Sequence, residues 1–301
     1  SAVIKTLIDS FEYPRRGPGM MWETVAEKIE AAGSEVKTGA DAVRVLHENG
    51  RVTAIEVAGN GRTERVTGSH FISTMPVREL VHKLDPPPPP EILAAADKLN
   101  YRDFLTVALI VDNPDLFPDN WIYIHDPDVK VGRVQNFKNW SPEMVPDPRK
   151  SCVGLEYFCF EGDGLWTMPD DELVKLGARE MERLGLLRAA EVEDGAVVRM
   201  AKAYPVYDGV YAGALAQIRS WLEGLPNLQL VGRNGMHKYN NQDHSMLTAM
   251  LAAENILGAK HDVWSVNVDQ EYQEEITREE AERRAAEAKA LEATQPRVPV
   301  P

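Results

Sequence analysis

The stretch Val231–Gly258 reads VGRNGMHKYNNQDHSMLTAMLAAENILG. The residues LQLVG that lead into it are apolar apart from Gln229, as in a parallel-type strand buried on both faces. Gly232 permits close backbone approach. Polar residues then crowd the turn: Arg233, His237, Lys238, Tyr239, Asn240, Asn241, Gln242, Asp243 and His244. An apolar helix over 244–257 follows, and Asp243 can cap it. A strand, a turn and a capped helix account for Gly232 and Asp243. They do not account for Arg233, Tyr239, Asn240, Asn241 and Gln242 together. Donors gathered at the start of a helix favour an anion.

Working outward, the pattern is of mixed α+β type. YPRRGPGMMW (13–22) is a Gly/Pro turn leading into a helix near 20–32 that Gly33 stops. Three strand signals follow, EVKTG, AVRVLHENGRVTAIEVAGNG and RTERVTGSHFIST. The middle one is a hairpin about Asn49-Gly50. TMPVRELVHKL is a turn and a helix. Five prolines, 86–90, must be extended before another short helix. Strands are expected at 103–112, 121–126, 130–140, 151–160 and 196–207, joined by Pro/Asp turns without regular crossover helices. That pattern predicts a largely antiparallel sheet. Helices are expected at 170–185 and 211–223. From Gln270 to Thr294 the i,i+4 charge pairs predict a solvated helix, and QPRVPVP reads as a frayed end.

The chain has 301 residues, 44% of them hydrophobic, and a formal net charge of -14. That length supports a large core in one or two domains. The charge argues against nucleic acid and anionic membranes as partners. No run approaches the roughly 18 apolar residues of a membrane span, and no signal peptide is visible. Cys152 and Cys159 lie seven apart in one strand-like run, on opposite faces. They read as two buried free thiols of a cytoplasmic protein.

No G-x-G-x-x-G, H-E-x-x-H, C-x-x-C, G-x-S-x-G or P-loop is present, and the seven histidines are scattered, so no metal site is expected. Several residues have a bland reading. Arg133 reads equally as a solvated strand residue, and Tyr204 and Tyr207 as core or sheet-edge aromatics. Trp22, Trp121, Trp140 and Trp166 read as packing, Met20 and Met21 as core gap-fillers, and His237 and His244 as loop polar groups or caps.

The block GRNGMHKYNNQDHSMLTAMLAAENIL resembles the C-terminal flavin-binding segment of UDP-galactopyranose mutases, the eukaryotic form especially. More broadly it resembles the amine-oxidase and protoporphyrinogen-oxidase class of FAD proteins. Weaker matches follow in the same order. FEYPRRGPGMMWETVAEKI is similar to the Gly-rich turn and helix that approach the isoalloxazine. GADAVRVLHENGRVTAIEV is similar to the segment whose valine, here Val43, meets the adenine. HFISTMPVREL resembles the strand and turn returning from the cofactor domain. VGRVQNFKNW resembles the strand bearing a substrate-diphosphate arginine, here Arg133. AYPVYDGVY resembles the mutase Tyr-Pro segment, here Tyr204.

The resemblance covers about residues 11–267. It implies a flavin-dependent oxidoreductase of the amine-oxidase superfamily, or alternatively a mutase acting on a nucleotide sugar. A competing reading is a non-catalytic domain that binds a partner. The resemblance implies Arg133, Tyr204 and Tyr239 for a small-molecule substrate, and Val43, Gly232, Arg233, Asn241, Gln242 and Asp243 for the cofactor. It assigns no catalytic residue. It implies an FAD-binding remainder at 1–76 and 227–268, a substrate domain at 77–226 and a charged tail at 269–301. Such proteins begin with a strand and G-x-G-x-x-G. The chain is therefore expected to be a C-terminal portion lacking the first βαβ, with FAD in the full-length protein and none held by the fragment. An exposed apolar face where that segment belongs would allow a dimer.

Overall fold

The computed structural model describes residues 12–267. The chain forms two compact units, Ser1–Tyr239 and Asn240–Pro301. In chain order the first contains α1 (Gly19–Ala31), β1 (Asp41–Glu48), β2 (Arg51–Gly59), β3 (Arg62–Thr67), β4 (Phe71–Ser73), α2 (Val77–Lys83), β5 (Leu84–Asp85) and α3 (Pro90–Ala96). It continues through β6 (Tyr101–Val111), β7 (Trp121–Tyr123), β8 (Arg133–Asn136), α4 (Phe137–Trp140), β9 (Ser151–Cys159), α5 (Asp170–Arg183), β10 (Val192–Pro205), α6 (Tyr211–Leu222), β11 (Leu228–Leu230) and α7 (Gly232–Gly235). The second holds α8 (Gln242–Ile256). The protein is α+β, as expected. The charged segment at 269–301 lies outside the described residues.

Five strands form an antiparallel sheet in the order β10-β6-β9-β8-β7. Alternation along β6 and β9 separates its two faces. Leu105, Val107, Leu109, Val153, Leu155 and Tyr157 make one face the core. Helix α5 covers it with Leu173, Gly177 and Met181, which recur every four residues. Packing at Gly177 is tight, since a Cβ there would stand 3.0 Å from the Leu155 side chain. Asp170, Asp171 and Glu172 in the first turn and Arg183 in the last suit the helix dipole. Buried Glu180 on this helix accepts from the Lys130 and Val131 N–H groups and from the Tyr157 hydroxyl. Cys152 and Cys159 are both free, and their odd spacing on β9 puts them on opposite faces.

Two smaller sheets complete the first unit. One runs β3-β2-β1-β5, with only β1–β5 parallel. The β1–β2 hairpin turns at Asn49 and Gly50, both with positive φ (51° and 73°), as a two-residue primed turn demands. The other is the parallel pair β11–β4. Asn227, just before β11, donates to the Val52 carbonyl at 2.8 Å and accepts from the Val52 N–H at 2.9 Å. That clamp ties the two sheets together.

Several expectations need correction. EVKTG is not a strand. Every residue from Ser34 to Ala40 is exposed, and no apolar face is available to hold a ladder. The strand at 130–140 is short and gives way to α4 after Asn136. There Asn136 and Asn139 donate to the Phe117 carbonyl, and Lys138 gathers three backbone carbonyls. These long-range bonds override the alternating pattern. Met20 and Met21 are not core gap-fillers, since α1 buries no residue fully.

In the second unit α8 begins at Gln242, two residues earlier than expected, and its N-cap is Asn241 rather than Asp243. The Asn241 N–H donates to His244 Nδ1 at 3.3 Å, which gives His244 the capping role expected of it. Asp243 sits in the first turn, exposed, where its charge meets the dipole. Among the described residues no helix is long and apolar enough to cross a membrane.

Candidate functional site: arginines caged by aromatic rings

The open face of the five-stranded sheet carries the chemistry. On β8, Arg133 and Gln135 alternate with core residues Val134 and Asn136. Tyr123 and Trp121 on the edge strand β7 face Arg133 and Gln135 in register. Glu156 on β9 faces Arg133 from the other side. The result is a guanidinium 5.4 Å from the Trp121 ring centre and 5.7 Å from that of Tyr123. Its Nε and Nη2 both pair with the Glu156 carboxylate, and Gln135 Nε2 donates to the other oxygen of that carboxylate. Only 18% of the Arg133 side chain is exposed, so it is not a solvated strand residue. Burial acts to lower the Arg133 pKa, but the hydrogen bond and charge of Glu156, with smaller help from Tyr123 and Tyr204, carry the net shift upward. The guanidinium stays charged throughout.

A second caged arginine lies alongside. Gly232 has φ +78°, a conformation that favours glycine. It turns the chain from β11 into α7 and presents Arg233 to the sheet. Backbone also approaches closely at Gly235, where a Cβ would meet the Ser73 carbonyl at 2.7 Å. The Arg233 guanidinium lies 5.2 Å from the Tyr204 ring centre and 4.7 Å from that of Tyr239. Those rings stack at 5.6 Å, with planes 17° apart. Arg233 Nη1 also donates to the Ala203 carbonyl at 3.0 Å.

A bulge aims Tyr204. Between Met200 and Tyr204, β10 takes four steps where β6 takes two, from Phe104 to Arg102. Lys202 in that bulge has φ +56°. It is held by its backbone N–H donating to buried Asp103 at 2.6 Å and by an ion pair with Glu79 at 2.8 Å. Tyr239 is set by its own N–H donating to the Tyr207 hydroxyl at 2.6 Å. Burial, then the neighbouring Tyr204, pushes the Tyr239 pKa up against the opposing pull of Arg233 and Arg133. The Tyr239 phenol therefore remains a neutral donor.

Arg133, Tyr204, Tyr239 and Arg233 therefore converge. Val43 does not join them. It is the extra residue of a bulge in β1 and is 39% exposed. Beside it an open cavity of about 330 Å³ is lined by Ala42, Val45, Ile55, Ile72, Thr74 and Leu228 among others, and Val43 is not among them. Asn241, Gln242 and Asp243 belong to the second unit, all exposed at the start of α8.

Sequence reading missed Glu156, Gln135, Tyr123 and the role of Trp121, which is 47% exposed rather than packed. The signal for Glu156 was present: a single carboxylate in the otherwise apolar run SCVGLEYFC. His237 lies in the turn after α7, as a loop polar group would, but its burial was missed. His237 is 1% exposed, ringed by Tyr101, Tyr207 and Tyr211. Among the described residues no cluster could hold a metal ion.

The flavin-containing amine oxidoreductase family model matches residues 6–257. The chain belongs to this family. Two solved structures share its fold. A reduced UDP-galactopyranose mutase superposes with a TM-score of 0.72 at 21% identity, covering 85% of this chain and 54% of that one. A protein described as a protoporphyrinogen oxidase, from Exiguobacterium sp. 255-15, superposes with a TM-score of 0.56 at 17% identity, covering 78% of this chain and 51% of that one. The chain thus spans about half the length of these structures. No match to a curated protein was found.

A flavin is the group this family implies, and the residues around β4 and α7 can be tested for fit. The Ser73 hydroxyl and the Asn234 side-chain carbonyl are buried with no hydrogen-bond partner. Gly232 and Gly235 bring bare backbone to the same corner. Orphaned polar atoms beside glycine backbone fit a polar ligand that approaches closely.

Proposed function

We propose that this protein is an FAD-dependent enzyme whose substrate is anionic, of the diphosphate-bearing nucleotide-sugar class. The observation that carries the reading is the pairing of two aromatic-caged guanidinium groups, Arg133 and Arg233, on one sheet face. An amine is a cation at neutral pH. Two arginines held charged beside the substrate would repel it, whereas a diphosphate would be held by them. The mutase alternative is thereby favoured over oxidation of an amine.

In this reading Arg133 grips the anionic group, Tyr204 and Tyr239 orient it, and Arg233 closes the same end. Trp121 and Tyr123 flank the Arg133 guanidinium. Gly232, Gly235, Ser73 and Asn234 would hold part of the cofactor, with Val43 near its adenine. Bound FAD would supply the electron-transfer or nucleophilic chemistry. We further propose that 1–76 and 227–268 are the remainder of a Rossmann-like cofactor domain whose first βαβ is not in this sequence, and 77–226 the substrate domain. The parallel β11–β4 pair and the Asn227 clamp support that division. Because the 301 residues contain no glycine-rich phosphate loop, they are expected to hold FAD weakly by themselves.

The test is a competition in solution, with protein expressed from its complete gene. Calorimetric titration should show saturable UDP binding and none by benzylamine. Turnover of the amine, with no binding of UDP, would overturn the proposal.

A further inference from the structure

Glu156 is 1% exposed, yet it belongs to the open face of the sheet and not to the core. A buried carboxylate is expensive unless matched. Replacing a buried ion pair by apolar residues is often neutral for stability. Stability alone therefore does not account for a charged pair at this position. What the pair does is geometric. Arg133 offers five N–H donors in a rigid plane. Glu156 takes those on Nε and Nη2 with a single oxygen. Its other oxygen is held by Gln135, two residues along the same strand as Arg133. The carboxylate is thus braced on both sides and cannot swing with the arginine. The Trp121 and Tyr123 rings limit movement of the guanidinium out of its plane. Nη1 makes no bond to Glu156, and Tyr123 also hydrogen-bonds the guanidinium.

We propose that Glu156, braced by Gln135, is a positioning residue that sets which edge of Arg133 meets the ligand anion. The inference rests on the reading that Arg133 binds that anion. Glu156 touches no ligand itself. It acts through Arg133 alone, so its effect must vanish when Arg133 is absent.

The experiment is a double-mutant cycle read by calorimetric titration of UDP, on protein expressed from its complete gene. The variants are Glu156→Gln, Arg133→Ala and the pair together, with thermal melting of each alongside. Glu156→Gln keeps the shape and removes the charge. It should weaken UDP binding about tenfold or more in the wild-type background and less than about twofold in the Arg133→Ala background. A purely structural role would lower the melting temperature and cost affinity equally in both backgrounds. That result, or unchanged or tighter UDP binding by Glu156→Gln, overturns the inference while the effect of Arg133→Ala upholds the site. If Arg133→Ala itself leaves UDP binding unchanged, the inference and the proposed site both fall. Should Glu156→Gln not fold, Glu156→Asp takes its place in the same cycle, since it keeps the charge but draws the guanidinium back by one methylene.

Discussion

Tyr204 and Tyr239 come from different elements and stack nearly parallel, 5.6 Å apart, with the Arg233 guanidinium within 5.2 Å of both ring centres. A cation held against two π faces is fixed in orientation by them. Tyr239→Ala should therefore weaken UDP binding by about 1–2 kcal/mol. Tyr239→Phe keeps the stack and should stay within about threefold of wild type, a difference of roughly 0.6 kcal/mol. Titration of both variants decides it. Equal losses would assign the contribution to the hydroxyl instead of the ring.

Asn227 is 2% exposed and bonds both backbone groups of Val52, with a further bond to the Ser69 carbonyl at 3.1 Å. Asn227→Ala leaves buried backbone groups unsatisfied. The expected destabilisation is about 2–4 kcal/mol, measured by urea unfolding. A loss below about 0.5 kcal/mol would show that water replaces the amide.

His237 titrates against the fold. Burial lowers its pKa, partly offset by its bond to the Val206 carbonyl and by Asp208. With the folded pKa below the unfolded value of about 6.5, its contribution to stability is present above that value. The contribution is lost as pH falls through the folded pKa. His237→Asn suits the positive φ of 46° at this position. Between pH 8 and 5.5 the wild-type melting temperature should fall more steeply than that of the variant. Parallel slopes would contradict this.

The cysteines should be inert. Burial pushes the Cys152 thiol up, and burial with Asp163 and Asp103 pushes Cys159 up to about 11. At pH 8 the native protein should take up a thiol reagent slowly, and the unfolded protein should show two thiols. Rapid native labelling at Cys159 would refute it.

How much of this was legible in the sequence depended on whether the cause was local. The α5 helix, the Asn49-Gly50 hairpin and the antiparallel sheet follow from periodicity and turn chemistry, and they stand where expected. Arg133, Tyr204, Arg233 and Tyr239 were named from a family resemblance, and the fold gathers them. What sequence could not carry was pairing at a distance. Glu156 meets Arg133 only through the β8–β9 register. Tyr204 reaches the cluster only because Asp103 stabilises a bulge around Lys202. The helix after Asn136 is fixed by carbonyls from distant loops. The N-cap at Asn241 was misplaced because Asn241 and Asp243, two positions apart, offer the same signal, and only backbone geometry separates them.

The central claim is that the caged arginines hold an anionic substrate group, and Arg133 is its sharpest point. The most direct measurement compares UDP affinity and flavin absorbance for wild type and Arg133→Ala, on protein expressed from its complete gene. The account predicts a loss of about 2–4 kcal/mol in UDP binding, with flavin per protein unchanged. Undiminished UDP affinity in Arg133→Ala would contradict it.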